Sequence, residues 1–179
     1  MNEKRNGALD RYPIEKMRAG RPSVTVKEDG AVIFYLYAPA AKIVQVAGLG
    51  GYFTNKKIDL MPDGQGGFFA EVQDFHWGMH YYFWYVDCVR ICNPYAGISY
   101  GCFAAINTFE VQEKNVDFYF AKDIPHGTVS ICKYVSKVSS HLKECYVYTP
   151  YGYEEGDERY PVLYLQHGVG ENETGWIWQ

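Results

Sequence analysis

Ser23-Val-Thr-Val-Lys-Glu28, Asp29-Gly30 and Ala31-Val-Ile-Phe-Tyr-Leu-Tyr-Ala38 decide how the rest of the chain is read. Two runs rich in β-branched and aromatic residues, separated by Asp-Gly, predict a β-hairpin. In the second run Val32, Phe34 and Leu36 alternate with Ile33, Tyr35 and Tyr37, so both faces are apolar and the strand is expected to be central. Short strands follow at close spacing. Lys42-Ile-Val-Gln-Val-Ala-Gly48 is broken by Gly48-Leu-Gly-Gly51; Lys57-Ile-Asp-Leu-Met61 runs into the turn Pro62-Asp-Gly-Gln-Gly-Gly67; then come Phe68-Phe-Ala-Glu-Val72 and Met79-His-Tyr-Tyr-Phe-Trp-Tyr-Val-Asp87. Many short strands punctuated by Gly, Pro and Asp, with almost no helical periodicity, predict a two-sheet sandwich closing near Val111.

Bulk composition agrees. The 179 residues are 47% hydrophobic and 17% aromatic, with 17 tyrosines and 10 phenylalanines, side chains that suit half-buried pleated faces. A net charge of -4 offers no broad basic face to a phosphate backbone, which argues against nucleic acid as a partner. Met1–Met17 carries charges without an apolar run behind them, and no stretch reaches the ~18 apolar residues of a membrane span. No membrane association and a cytoplasmic location are therefore expected. The five cysteines are an odd number without Cys-x-x-Cys spacing, and are read as reduced, mostly buried small hydrophobes.

Residues 1–21 are polar and of mixed charge and are expected to form a flexible arm; 22–112 form the sandwich and 113–126 a linker ending at Pro125-His-Gly127. Beyond it, Thr128-Val-Ser-Ile-Cys-Lys-Tyr-Val-Ser136 and His141-Leu-Lys-Glu-Cys-Tyr-Val-Tyr-Thr-Pro150 look like a hairpin. Pro161-Val-Leu-Tyr-Leu-Gln166 is a nearly continuous apolar run, the pattern of a strand buried on both faces of a parallel sheet, and His167-Gly-Val-Gly170 follows it.

Tyr146–Tyr153, Tyr160–Gln166 and His167-Gly-Val-Gly-Glu-Asn-Glu-Thr-Gly-Trp176 resemble the opening of the esterase domain in carbohydrate esterase family 1, the feruloyl and acetyl-xylan esterases. Upstream, Ala31–Pro39, Val44–Gly48, Asp63–Phe68 and Tyr81–Asp87 resemble the early-set immunoglobulin-like module, related to family 48 carbohydrate-binding modules, that often precedes such esterases. The fold class this implies is mainly β: an immunoglobulin-like (early-set) β-sandwich followed by the first strands of an α/β-hydrolase domain, of which 127–179 are the N-terminal fragment. Acyl transfer in that fold passes through a tetrahedral oxyanion stabilised in part by a backbone N–H from the glycine-rich loop after this strand. The resemblance assigns that loop to Gly168, Val169 and Gly170, with Val169 as N–H donor and His167 shaping the loop.

No nucleophile elbow Gly-x-Ser-x-Gly occurs in 127–179, so the chain is expected to be a C-terminally truncated family member without the catalytic Ser, Asp and His. Gly97-Ile-Ser-Tyr-Gly101 has the right letters, but its flanks read as loop where the elbow needs a buried strand before it and a helix after it. A dinucleotide loop is disfavoured because the third glycine after Gly168-Val-Gly170 is misplaced. Glycan contacts are expected at Trp77, Tyr52 and Phe53, although the family places a tryptophan near the turn where this sequence has Tyr52-Phe53; Trp84, inside an apolar strand, is expected in the core. Cys88 stands where the family turn has glycine, so that turn is expected to be rebuilt without positive φ. His76 and His80 have four-residue spacing but no helix to align them, so no metal is expected, and no cofactor. Glu154, Glu155, Asp157 and Glu158 form a solvated loop. The expected partner is polysaccharide or its ester-substituted fragments, with self-association through the C-terminal strands. The alternative is a non-catalytic carbohydrate-binding or interaction sandwich.

Overall fold

The computed structural model describes residues 21–48, 53 and 56–178, so all but Arg21 of the arm expected over 1–21, and the side chain of Tyr52, lie outside the described residues. Chain contacts divide the molecule into two compact units. The first comprises the described residues as far as Ser99 together with Ala105–Phe120, the second Tyr100–Ala104 and the described residues from Ala121 onward.

The strands come in the order β1 (Val24–Val26), β2 (Val32–Tyr37), β3 (Val44–Gly48), β4 (Lys57–Asp59), β5 (Met61–Pro62), β6 (Gly67–Val72), β7 (Gly78–Val86), β8 (Val89–Ile91), β9 (Ile98–Gly101) and β10 (Ala104–Val111). One antiparallel sheet has the order β1-β2-β6-β5 and the other β4-β3-β7-β10-β9, with β8 also paired to β7. The Asp29-Gly30 hairpin forms as expected, with Gly30 at φ 89° and Ala31 N–H donating to the Asp29 carboxylate at 3.0 Å. β2 is indeed internal, between β1 and β6.

The layers are held by an aromatic core. Phe34 on β2 is fully buried, its ring 5.7 Å from Tyr82, 6.3 Å from Trp84 and 5.5 Å from Phe109, all on the opposite sheet. Edge-to-face rings at such spacings add directional attraction to the ~1.5–3 kcal/mol that burying each large apolar side chain contributes. Trp84 is in the core, as its strand position predicted. Phe75, on the loop before β7, closes one end of this cluster against Phe53 at 5.3 Å and Phe109 at 5.3 Å.

The structure corrects several local expectations. Lys57–Met61 is not one strand: β4 pairs with β3 in one sheet, β5 with β6 in the other, and Leu60 between them is buried with its N–H bonded to the Val44 carbonyl at 2.9 Å. A single buried apolar residue carries the chain across the core. Ile98–Gly101, lying between flanks expected to be loop, is strand β9; the loop leading to it is pinned by Asn107, whose Oδ1 accepts the Asn93 N–H at 2.7 Å while its Nδ2 donates to the carbonyls of Asn93 and Gly97 at 2.9 and 3.1 Å. The Cys88 turn keeps positive φ after all, with Asp87 at 46° and Cys88 at 71°, and Cys102-Phe103 between β9 and β10 does the same at 49° and 64°. Two central residues at φ > 0 match the twist of the strands they join, and the ladders on either side impose that conformation. Asp87 contributes a reason of its own: its carboxylate accepts the N–H groups of Lys42 and Ile43 at 2.8 and 2.9 Å, which holds its pKa below the usual value.

In the second unit β11 (Thr128–Val135) and β12 (Leu142–Thr149) form the expected hairpin, in continuous antiparallel register. Tyr153–Glu155 makes a single 3-10 turn, and the acidic loop around it is exposed as expected. Pro161–Gln166 is not a buried strand. It has no regular structure, and Val162, Leu163, Tyr164 and Leu165 are 69%, 80%, 88% and 57% exposed. A strand buried on both faces needs neighbours on both edges, and among the described residues none pairs with it. The cysteines are free, but not buried: Cys88, Cys102 and Cys132 are exposed, Cys92 and Cys145 half-buried.

Candidate functional site

The residues singled out for chemistry fall in two places. In the first unit the loop Gln73–Trp77 is anchored by buried Phe75 and bends at Trp77, and Gly78 follows at φ 107°. Because the anchor is two residues back and the backbone turns at the glycine, the Trp77 indole is left 65% exposed. An exposed indole offers an apolar face on which a sugar ring can stack. His80 lies behind this loop, its ring stacked on Phe109 at 5.0 Å, edge-on to Phe75 at 5.0 Å, and its Nε2–H donating to the His76 carbonyl at 2.8 Å. Burial pushes its pKa below the ordinary value of 6.5, ahead of the opposing hydrogen bond. Phe53 is a core residue at 2% exposure, so it cannot contact a glycan from that position. Its ring is drawn inward by Phe34 and Phe75, and a side chain on Gly48 would collide with it.

In the second unit Gly168, Val169 and Gly170 form a tight turn. His167 Nδ1 donates to the Gly168 carbonyl at 2.8 Å, the Gly168 N–H donates to the Glu171 carboxylate at 3.0 Å, and Gly170 sits at φ 84°. The Gly168 N–H is thus already engaged, whereas Val169 is 93% exposed and its N–H makes no hydrogen bond among the described residues. The His167 ring thus touches the turn's own backbone. The following turn is capped by Asn172, whose Oδ1 accepts from the Thr174 N–H at 3.0 Å and hydroxyl at 2.6 Å.

Ser99, the centre of the stray Gly-x-Ser-x-Gly, lies on β9 at 1% exposure, and its Oγ has no hydrogen-bond partner among the described residues. A hydroxyl so enclosed has neither a base to activate it nor access to substrate. A shallow cleft of about 270 Å³ lined by Lys133, Leu142, Lys143, Glu144 and Glu173 contains none of the expected site residues. Among the described residues no His, Cys, Asp or Glu cluster could hold a metal ion, and no helix is long and apolar enough to cross a membrane.

One surface escaped the sequence reading. Tyr35, Phe69 and Met61 stand in register across β2, β6 and β5, with the Arg21 guanidinium 4.6 Å from the Tyr35 ring and 6.0 Å from that of Phe69. Tyr37, two residues along the same face, is 52% exposed. The signal was the second apolar face of β2, which the sequence offered as evidence of centrality and not of a surface.

Comparison with known proteins defines the class first: the chain is related to a carbohydrate-active enzyme. No family model matches it. One such relative is a curated endo-1,4-beta-xylanase/feruloyl esterase of Xylanibacter ruminicola, 34% identical over 174 residues, which are 93% of this chain and 24% of that protein. The chain therefore spans about a quarter of the length of the curated relative it matches. Among solved structures, the catalytic module of the pneumococcal glycogen-degrading virulence factor SpuA is 17% identical with a TM-score of 0.43, over 55% of this chain and 17% of that one. The Group B Streptococcus pullulanase SAP is 18% identical with a TM-score of 0.40, over 48% of this chain and 12% of its own.

Proposed function

We propose that this chain is the N-terminal portion of a serine carboxylic-ester hydrolase acting on feruloyl or acetyl esters of plant polysaccharide. The observation that carries the reading is the 34% identity, along 93% of the chain, to the xylanase/feruloyl esterase of Xylanibacter ruminicola. In this reading residues 22–112 are a carbohydrate-binding-like module, and 127–179 open the esterase domain. Val169 supplies the backbone N–H that meets the oxyanion when a serine attacks the ester carbonyl, and its exposed, uncommitted N–H supports that part. The nucleophile, its base and the acid belong to sequence other than these 179 residues. The test is hydrolysis of methyl ferulate and of an aryl acetate by the product of the gene that encodes this segment, read to its own stop codon. Saturable turnover of neither ester would refute the proposal.

A second reading, a non-catalytic carbohydrate-binding sandwich, is favoured by the self-contained aromatic core and by the exposed Trp77. Retention of the 179-residue chain on insoluble xylan, lost by roughly tenfold in Trp77→Ala with the thermal melt unchanged, is its expected signature, since one stacked ring is worth about 1–2 kcal/mol. Equal retention of the two proteins removes Trp77 from any glycan site.

A further inference from the structure

We propose that Cys132 and Cys145 are a reversible redox pair, forming and breaking a disulfide across the β11–β12 hairpin by exchange with a low-molecular-weight disulfide of the glutathione class. The two are direct cross-strand partners, the centre of a register that runs without a bulge from Thr128↔Thr149 to Val135↔Leu142. The next pair outward, Ser136 and His141, is joined by a hydrogen bond from the Ser136 N–H to the His141 carbonyl at 2.9 Å. Hydrogen-bonded and non-bonded pairs alternate along an antiparallel ladder, so Cys132 and Cys145, four residues further in along each strand, are again a hydrogen-bonded pair.

That assignment sets the chemistry. Alpha carbons in such a pair stand about 5.5 Å apart, inside the range a disulfide spans, and both side chains leave the same face of the ribbon. The β carbons of a hydrogen-bonded pair are wider apart than a relaxed disulfide prefers, so closing the bond pulls on the ladder and leaves it easily reduced. Strained, accessible disulfides are the exchangeable ones. Access is present on both sides: Cys132 is exposed, Cys145 half-buried, and the ribbon buries no residue along either strand. Among the described residues no other cysteine faces a cysteine in register. Cys88 and Cys102 occupy turns, and burial raises the pKa of the Cys92 thiol, which lowers its thiolate fraction.

The exchange balances without any other reactant. One protein thiolate attacks the small disulfide, forming a mixed disulfide and releasing one small thiol. The second protein thiolate then attacks the protein-bound sulfur, the Cys132–Cys145 bond forms, and the second small thiol leaves. Two protein thiols lose two electrons, which the small disulfide gains.

The test uses the 179-residue chain equilibrated with oxidised glutathione, with remaining thiols blocked by N-ethylmaleimide, then digested without reductant and read by mass spectrometry. A peptide linking Cys132 to Cys145 within one chain is expected. It should persist in a Cys88→Ser/Cys92→Ser/Cys102→Ser variant, vanish in Cys132→Ser and in Cys145→Ser, and be reversed by dithiothreitol. Amide exchange within 128–149 should slow by roughly tenfold or more on oxidation, because cross-linking a two-stranded ribbon restricts its open states. Separate glutathione adducts on the two thiols, linkage only between chains, or unchanged exchange in the linked protein would each overturn the proposal.

Discussion

Replacing Phe34 by alanine tests the sandwich at its centre. The ring has no exposed surface and is within 5.5–6.3 Å of Phe53, Phe75, Tyr82, Trp84 and Phe109, measured between ring centres. Three rings of the opposite sheet and two from loops, Phe53 and Phe75, meet on it, so they cannot collapse into the space without moving a sheet or a loop. Phe→Ala at such sites costs about 3–5 kcal/mol, the lost transfer energy plus the cavity. Against the ~5–15 kcal/mol of a whole domain this is a large fraction, and for about 90 residues it lowers Tm by roughly 15–30 °C. The assay is a thermal melt of the 179-residue chain followed by near-ultraviolet circular dichroism, where the packed Trp84 and Tyr82 report the core. Ile131→Ala, on the exposed β11, should move the same transition by less than about 0.5 kcal/mol. A loss below about 1 kcal/mol for Phe34→Ala would refute the packing argument, since no well-packed aromatic core loses its central ring so cheaply.

Ser99→Ala should stabilise the chain by up to about 1 kcal/mol, because it removes an enclosed hydroxyl without a partner, and the chain should turn over neither aryl acetate nor methyl ferulate before or after the change; a saturable rate abolished by the substitution would make Ser99 a nucleophile. His80 gives a pH dependence. Its folded pKa is depressed by burial, so the unfolded chain takes up the proton first and stability falls as pH drops below 6.5, until the folded value is passed; His80→Gln should flatten that slope in urea titrations between pH 7 and 5, and an unchanged slope would assign it elsewhere. The exposed apolar run Val162–Leu165 should drive association between chains, seen as concentration-dependent mass in light scattering and relieved by Leu163→Lys. A monomer with strongly protected amides at 161–166 would contradict this.

What the sequence revealed and what it hid separate along physical lines. The strands at Ala31–Ala38 and Met79–Asp87 and the central place of the first were legible, because alternating apolar residues in Ala31–Ala38 and an unbroken aromatic run in Met79–Asp87 suit pleated faces packed in a sheet. The split of Lys57–Met61 between sheets was invisible, since Leu60 looks the same whether it continues a strand or crosses a core. β9 was missed because its structure is stabilised from a distance: Asn107 holds the preceding loop, and nothing in Gly97–Gly101 itself announces a strand. Phe53 and Trp77 looked alike as exposed aromatics near turns. Only the tertiary neighbours of Phe53, chiefly Phe34 and Phe75, separate the core ring from the surface one. The turn at Gly168–Gly170 was legible as a turn, but the engagement of the Gly168 N–H by Glu171 depends on a rotamer that sequence does not encode. In the same way Cys132 and Cys145, thirteen positions apart in a list of five cysteines, become partners only once the register is known.

The two left-handed turns, Asp87-Cys88 and Cys102-Phe103, bear on the order in which the chain assembles. Neither contains glycine, and bulky residues at positive φ are disfavoured by about 1 kcal/mol or more each until something holds them. Such turns make poor nuclei: in the unfolded chain they sample the open side of their own hairpins. Closure of β7–β8 and of β9–β10 therefore waits for partners remote in sequence, β3 and β10, to dock on β7 first. Assembly of this sandwich is governed by long loops closing early, the slow regime for β topologies, and its hairpin tips are the last parts to set and the first to open.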